Sequence, residues 1–384
     1  MNKALCANVI ERLLDPSPLL AFLSGIAPRA HAVIITTPER DAVRAQQQNG
    51  PSADPLPVRE WNTAEFERLL HAWHLRPTFT GLTFDSVHDC VKDTILAILD
   101  CCPEEAATAV PGDFRPLAII ATYNDRDIAP QIVKDLLDDG IDVHVLDNWS
   151  SDGTFELLSC LSESRGGCKL ERFPASEPTL YFEWRAILER KAELAAQFSN
   201  RWIIHQDSDE LRRSPWPEIS LRAGLYVAER MGFNAIDFTV CDFRPIDGGF
   251  TGGMHPELVF RFFEFGKHPG HFSQVKAWRQ GEELIDLASS GGHQAEFLER
   301  RIFPYKFLLK HYQLRSPAQA KHKVFERRSR WLPQERTMGW HDHYDHFTDS
   351  DTFVWRSSEL MEFDERETRR KFLTELIAGI GILR

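Results

Sequence analysis

The run Leu117–Asp125 reads LAIIATYND. An unbroken apolar hexad that closes on Thr122-Tyr123-Asn124-Asp125 is the pattern of a strand buried on both faces and ending in polar groups. Helical spacing follows from Asp127 to Asp139, with Ile128, Ile132, Val133, Leu136 and Leu137 on one face and Gly140 as the residue just past the end. The alternation then continues. Ile141–Leu146 predicts a second strand, and Asp152-Gly153-Thr154 opens a helix through Leu161. Lys169–Phe173 predicts a third strand, about Leu180 to Phe198 a long helix, and Trp202–His205 a fourth strand. Strands separated by helices at this spacing imply an α/β fold with a mostly parallel, doubly wound sheet. Ala235–Val240 and Leu258–Phe265 are strand-like without intervening helices, so the second half of the sheet is expected to be mixed.

Ligands of such sheets bind beyond the carboxyl ends of the strands, and here those ends are acidic. The second strand delivers Asp147-Asn148-Trp149-Ser150-Ser151-Asp152, and the fourth delivers Gln206-Asp207-Ser208-Asp209-Glu210. In extended backbone, residues two apart point to one side, so Asp207 and Asp209 are expected to face one cation. Carboxylate oxygens suit hard ions, Mn²⁺ or Mg²⁺. Asp147 is placed to accept a hydrogen bond from a base or ribose. Asp152 sits at a helix start, where plain capping competes with a ligand role. Glycine-rich dinucleotide and phosphate-loop motifs are missing, and Gly248–Gly253 lacks the strand-to-helix context of a phosphate cradle.

Composition narrows the classes. The 384 residues suggest two or three domains. Lys and Arg number 45 against 57 Asp and Glu, a net charge of −12, which argues against nucleic acid as the main partner. No run approaches the ~20 apolar residues of a membrane span, and the first residues lack signal-peptide architecture. The seven cysteines are scattered without a Cys-x-x-Cys pair, so reduced thiols and a cytoplasmic location are expected. Ten Trp and 26 Phe exceed the needs of one compact core and point to an aromatic-lined surface or a second apolar interface.

LAIIATYND, VLDNWSSDGT (Val145–Thr154) and IIHQDSDE (Ile203–Glu210), in this order and spacing, resemble glycosyltransferase family 2 and its GT-A-fold relatives. FPYKFLLKHYQLRSPAQAKHKVFERR (Phe303–Arg328) and GWHDHYDHF (Gly339–Phe347) look like a bacterial branch of that group, and the resemblance spans residues 113–346. It implies a GT-A-type mixed sheet and transfer of a sugar from a UDP- or GDP-linked donor to a hydroxyl of a glycan or glycolipid, with inversion, in bacterial surface glycan synthesis. Carried over, Thr122, Tyr123, Asn124, Asp125, Asp147, Asp152 and Asp207 would hold the donor. Asp209 would be the principal metal ligand with Asp207 and His311 beside it, and Arg315, Lys321 and Lys323 would neutralise diphosphate. Asn148 replaces the second carboxylate of the family's Asp-Asp-Gly-Ser. The usual Glu-Asp pair that supplies the base is not visible; Asp247, then Glu257 and Asp242, are the candidates for deprotonating the acceptor. The His341–His346 cluster lacks zinc-motif spacing and suits an acceptor-side or lid role.

The front of the chain reads differently. Cys6–Leu14 and Leu19–Leu23 predict helix, Ala32–Thr36 a strand, Gln46–Pro57 a loop, and Thr63–Trp73 a helix capped by Thr63. CANVIERLLDPSPLLAFL (Cys6–Leu23), AVIITTPERDAVR (Ala32–Arg44) and NGPSADPLPVREWNTAEFERLL (Asn49–Leu70) resemble the C-terminal half of a class I S-adenosylmethionine-dependent methyltransferase. That implies a partial Rossmann-like segment over residues 1–110 without the cofactor-binding half, and an exposed sheet edge and apolar face that either the glycosyltransferase domain or a second copy, in a homodimer, would cover. Residues 347–384 are expected to form a helical tail, with a terminal helix from about Asp364 to Ile380. Two rival readings are a non-catalytic nucleotide-binding scaffold and a methyltransferase completed by a partner.

Overall fold

The computed structural model describes residues 3–27, 30, 32–44, 57–83, 92–99, 110–214, 219–230, 232–265, 274–303, 306–338, 340 and 344–364. The chain divides into two compact units, Met1–Glu105 with Asp364–Arg384, and Ala106–Phe363.

In the first unit, strands β1 (Lys3–Ala7), β2 (Ala32–Pro38), β3 (Pro77–Thr83) and β4 (Thr94–Leu99) form one sheet in the order β1-β2-β4-β3. β1 and β2 are parallel, and β4 runs antiparallel to both its neighbours. The start of the chain corrects an expectation: Cys6 lies within a strand, Ile10–Arg12 is a single 3₁₀ turn, and the helix is Ser17–Ile26. Lys3 to Ala7 pair residue by residue with Ala32 to Thr36, so tertiary pairing overrides the local apolar spacing. The helix Thr63–Ala72 begins one residue earlier than expected, on a capping box between Asn62 and Glu65. The Gln46–Pro57 loop falls almost wholly outside the described residues.

The second unit is a mixed α/β domain, as the alternating pattern requires. Its strands are β5 (Leu117–Thr122), β6 (Asp142–Asp147), β7 (Cys168–Arg172), β8 (Trp202–Asp207), β9 (Glu210–Arg213), β10 (Ala235–Phe243), β11 (Phe262–Phe265), β12 (Gln274–Arg279), β13 (Phe307–His311) and β14 (Met361–Glu362). The order is β14-β11-β10-β12-β8-β5-β6-β7, and β13 joins β10 to β9. β8, β5, β6 and β7 are parallel, whereas β12 is antiparallel to β8 and begins the mixed half. Chain order reverses between β5 and β8, which opens a crevice beyond their carboxyl ends. Helices Ala129–Asp138, Thr154–Ser164 and Trp184–Ala195 supply the crossovers. Gly140 ends the first of these at φ +74°, where a Cβ would be strained.

Residues Pro317–Arg330 are helical throughout but shift register, as a helical turn Pro317–Lys321, a π-helical turn His322–Glu326 and a 3₁₀ turn Arg327–Arg330. One further expectation changes. The described part of the expected helical tail is instead a 3₁₀ turn, Ser357–Glu359, and β14, which extends the sheet beyond β11. The helix proposed from Asp364 lies outside the described residues beyond its first position. Many of the surplus aromatics are accounted for as core: Phe243, Phe250, Phe260, Phe263 and Tyr312 interlock around β10 and β11. Among the described residues no helix is long and apolar enough to cross a membrane.

Candidate active site

A cavity of about 550 Å³ opens at the crevice beyond β5 and β8. One wall is made by the strand ends, Thr122, Tyr123 and Asp125 from β5 and Asp207–Glu210 from β8. The opposite wall comes from the downstream chain: His311, Lys323, Arg327, Arg330, Trp331, Trp340 and Tyr344.

Each strand-end carboxylate has its own cation. Asp125 Oδ2 accepts from Ser208 Oγ at 2.6 Å, and its Oδ1 faces Arg315 at 3.2 Å and Arg327 at 3.3 Å. Burial pushes this carboxyl up, but the Arg327, Arg315 and Lys323 charges outweigh it and hold it below its ordinary value. Asp207 lies 3.4 Å from Lys276 Nζ and 3.8 Å from Lys191 Nζ. Asp209 Oδ2 accepts from Lys323 Nζ at 2.6 Å, while its Oδ1 lies 3.6 Å from His311 Nε2. Asp207 and Asp209 thus have different side-chain cations as neighbours. β8 ends at Asp207, and a turn at Ser208-Asp209 leads into β9, so the extended alternation does not reach Asp209. The two carboxylates share the cavity but face different cations.

His311 is the pivot between Asp209 and β10. Its Nδ1 contacts Asp242 Oδ1 at 2.8 Å, and Asp242 is the residue paired with it across β13 and β10. Burial alone would lower the imidazole pKa; Asp209 and Asp242 outweigh that and raise it to about 9. With Nδ1–H committed to Asp242, Nε2 faces Asp209, the orientation that an outer-shell carboxylate imposes on a metal-binding histidine. A carboxylate oxygen and an imidazole nitrogen at this separation suit a small divalent ion that takes its remaining ligands from phosphate and water. Among the described residues no group of three or more His, Cys, Asp or Glu stands ready to hold a metal by itself.

The other expected donor residues brace the loops around the cavity. Asp147 is fully buried; its Oδ2 accepts from the Ser150 N–H at 3.0 Å and from Arg172 at 2.9 Å. Burial raises its pKa in spite of these partners. Asn124, at φ +52°, ties the β5 loop to the β6 loop: its N–H donates to Ser150 Oγ at 2.9 Å and its Oδ1 accepts from the Ser151 N–H at 2.7 Å. Asp152 Oδ1 accepts from the Thr154 N–H at 2.9 Å, and its Oδ2 accepts from the Arg126 N–H at 3.1 Å. Asp152 thus forms a local turn ahead of the helix, whose N-cap is Gly153 without a side-chain cap bond. Arg315 is fully buried and clamps Asp127 through two hydrogen bonds of 2.7 Å, with Asp209 at 3.8 Å. Lys321 is exposed on the helical turn preceding Lys323.

Of the candidate bases, only Asp242 reaches the site, and it does so by holding His311. Asp247 is exposed and accepts from the Gly249 N–H at 2.8 Å within its own turn. Glu257 belongs to a separate ion-pair network with Arg213 at 2.7 Å and with Lys310. Neither lines the cavity. His341–His343 lie outside the described residues, but Tyr344 from the same stretch is in the wall.

Several wall residues were missed. Lys276 bridges Asp207 and Glu210, at 2.8 Å from the latter, from the middle of an otherwise apolar strand run. Behind the wall, and not lining the cavity itself, Lys191 donates to the Gln206 carbonyl at 2.7 Å, and burial lowers its pKa to about 7. Its sequence signal was visible, because it falls on the apolar face with Ile187, Leu188, Ala192, Leu194 and Ala195. Arg330 stands 4.2 Å over the Tyr123 ring and Arg327 5.3 Å over it.

No protein-family model matches the chain, and no curated protein matches it. Among solved structures, it is similar to the mannosyltransferase PcManGT from Pyrobaculum calidifontis in complex with GDP-Man and Mn²⁺, at 17% identity and a TM-score of 0.25. The matched region covers 35% of this chain and 41% of that one, so the chain spans about two fifths of that relative's length. It is also similar to mannosyl-3-phosphoglycerate synthase from Rubrobacter xylanophilus, at 16% identity, a TM-score of 0.28, and coverage of 64% of this chain and 81% of that one.

Proposed function

We propose that the second unit is a glycosyltransferase that moves a sugar from a nucleotide diphosphate donor to an acceptor hydroxyl. The observation that carries this reading is the pairing of walls in one cavity, Asp209 on one side and, facing it, His311 with Lys323, Arg327 and Arg330 on the other. Such a site offers a diphosphate both a cation-binding pair and fixed positive charge. In the transfer, the acceptor oxygen bonds to the anomeric carbon as the bond from that carbon to the diphosphate oxygen breaks. The nucleoside diphosphate leaves, and the acceptor hydroxyl gives up its proton. Lys323, Arg327 and Arg330 would hold the departing charge in place, which is where preorganised cations act most strongly.

Asp209 and His311 would hold Mn²⁺ or Mg²⁺, with Asp242 fixing the imidazole; when bound, the ion would add Lewis-acid stabilisation to the diphosphate. Asp207, held by Lys276 and Lys191, would act through the shape of the pocket or on ribose. Inversion at the anomeric carbon is the stereochemistry that the family resemblance implies, and it is read directly from the product by NMR.

The test is a titration of UDP, GDP and S-adenosylmethionine, each with and without Mn²⁺, on the wild type and on Asp209→Asn. Metal-stimulated nucleotide binding that the variant loses by about a hundredfold supports transfer. No nucleotide binding by the wild type sinks it, and binding of S-adenosylmethionine alone would favour the methyltransferase reading. We propose that the first unit is a methyltransferase-like segment. Its four-stranded α/β sheet supports this: among the described residues β1 lies at an edge, parallel to β2, with Leu5 there 71% exposed. A second copy covering that edge would appear as a dimer in size-exclusion chromatography with light scattering.

A further inference from the structure

Asp209 is the carboxylate that a divalent ion would need, and the fold has already supplied it with cations. Its Oδ2 accepts from Lys323 Nζ at 2.6 Å, with Arg315 Nη1 at 3.8 Å from the same oxygen. Its Oδ1 faces His311 Nε2 at 3.6 Å. The side chain of Asp209 is only 7% exposed and that of Lys323 15%, so the pair is largely withdrawn from water. A bare ion entering here meets nitrogen donors on both carboxylate oxygens, and repulsion between cations grows where water is scarce.

These three partners differ in freedom. Arg315 is fully buried and spends Nε and Nη2 on Asp127, at 2.7 Å each, and Nη1 on the Tyr312 carbonyl at 3.1 Å. It cannot leave Asp209 without breaking those bonds. His311 is held at Nδ1 by Asp242 at 2.8 Å. Lys323, by contrast, is a compact ammonium on a flexible four-carbon stem. It stands in the π-helical turn His322–Glu326, which brings Lys323 and Arg327, four positions apart, to the same cavity. Such turns occur mostly singly and at functional sites. The backbone there is anchored: Val324 beside it and Ala320 one turn earlier are fully buried in a cluster with Trp331, Tyr344 and Phe353. Of the three, Lys323 is therefore the one that can change partner by rotating its side chain alone.

The alternative partner is specified by the wall itself. Lys323, Arg327 and Arg330 line one cavity, and a diphosphate there offers the ammonium an anionic oxygen in place of Asp209. We propose that Lys323 is a built-in counter-ion of Asp209 that closes the cation site in the free protein and opens it when a nucleoside diphosphate draws the ammonium away. Metal binding is then conditional on nucleotide, and by linkage each ligand raises the affinity of the other by the same factor. No covalent bond is made or broken; one ion pair is traded for another. The inference rests on the glycosyl-transfer reading above and adds an order to it, in which the diphosphate enters before or together with the ion.

The experiment measures Mn²⁺ affinity of the full chain by EPR of the free aquo ion, with and without saturating GDP or UDP, against protein-free Mn²⁺–nucleotide standards. Without nucleotide, the wild type should bind Mn²⁺ about tenfold more weakly than Lys323→Ala does. Nucleotide should strengthen Mn²⁺ binding about a hundredfold in the wild type and only about tenfold in Lys323→Ala. Lys323→Gln, which keeps a donor to Asp209 without the charge, provides an independent variant. Lys323→Arg should retain the weak nucleotide-free affinity. So should Lys321→Ala, which removes the same charge from an exposed neighbouring position. If the nucleotide-free wild type binds Mn²⁺ as tightly as Lys323→Ala and Lys323→Gln, or if Lys321→Ala relieves the block equally, the counter-ion is overturned. Nucleotide titrated alone on the same samples separates the two readings. Intact nucleotide binding with equal coupling in wild type and Lys323→Ala removes the counter-ion alone, whereas absent nucleotide binding removes the transferase reading.

Discussion

The two walls of the cavity are built on different principles. The β5 and β8 ends place Thr122 and Asp207 by regular pairing within a parallel sheet, where register fixes each side chain, and Asp125 follows in the turn just after β5. The facing wall, from His311 to Tyr344, is a succession of short turns held by ion pairs and aromatic contacts. The first wall carries the negative charge and the second most of the positive. The site is thus an interface within one domain, and its carboxylates are compensated before any ligand arrives. An acidic rim that waits for a cation is the wrong picture. A divalent ion has to compete with Lys323 for Asp209, and a diphosphate that draws Lys323 away would favour its entry.

The sharpest way to break this comparison is to remove the bolt between the walls. Arg315 is fully buried and joins Asp127 and Asp125 of the strand-end wall to the downstream segment. Arg315→Met leaves Asp127 without its guanidinium and Asp125 with that of Arg327 alone, and such a loss from a buried pair typically costs about 3–5 kcal/mol. Chemical denaturation at neutral pH should show it. Asp125 has a lowered carboxyl pKa in the fold, so its ion-pair stabilisation is present above the ordinary carboxylate range and is lost as pH falls through that range. The gap between wild type and variant should therefore narrow on acidification. A variant as stable as the wild type would mean that the walls are not joined this way.

How much of this was legible depends on whether a signal is local. Leu117–Thr122 could be read as a buried strand because six consecutive apolar residues have few other uses, and the parallel half of the sheet followed from it. The carboxylates at the strand ends were legible for the same reason. The cations were not, because Lys276 and Arg327 acquire meaning only through partners 69 and 202 positions away. Asp209 was placed on the right edge, but its neighbours were not legible, since alternation says nothing about the turn after Asp207. At the other end, Cys6 sits in β1 because Ile35 pairs with it, a contact invisible to helical spacing. The base candidates failed for a related reason: residue type nominated Asp247 and Glu257, but only the fold decides which carboxylates line a cavity.

A smaller effect sharpens the account of His311. Its pKa is raised from its ordinary value to about 9 by Asp209 and Asp242 against the opposing effect of burial. A histidine whose folded pKa is raised contributes stability that is complete below the ordinary imidazole range and is lost as pH rises through about 9. In EDTA, the difference in melting temperature between wild type and His311→Gln should be largest near pH 6 and should shrink towards pH 9.5. A pH-independent difference would show that the imidazole is not held protonated between these carboxylates.

The smallest expected effect bears on where the chemistry is. Asp247 was the leading base on sequence grounds, beside a glycine run that invites a functional reading. In the fold it is exposed and spends Oδ1 on the N–H of Gly249, a local turn that an asparagine can also make. Asp247→Asn should change stability by no more than about 0.5 kcal/mol, and both nucleotide binding and transfer should remain within about twofold of the wild type. A thousandfold loss of transfer with nucleotide binding intact would move the base to the glycine loop and require that loop to close over the cavity. Near-identity leaves acceptor activation with the groups that already line the cavity, among which is His293.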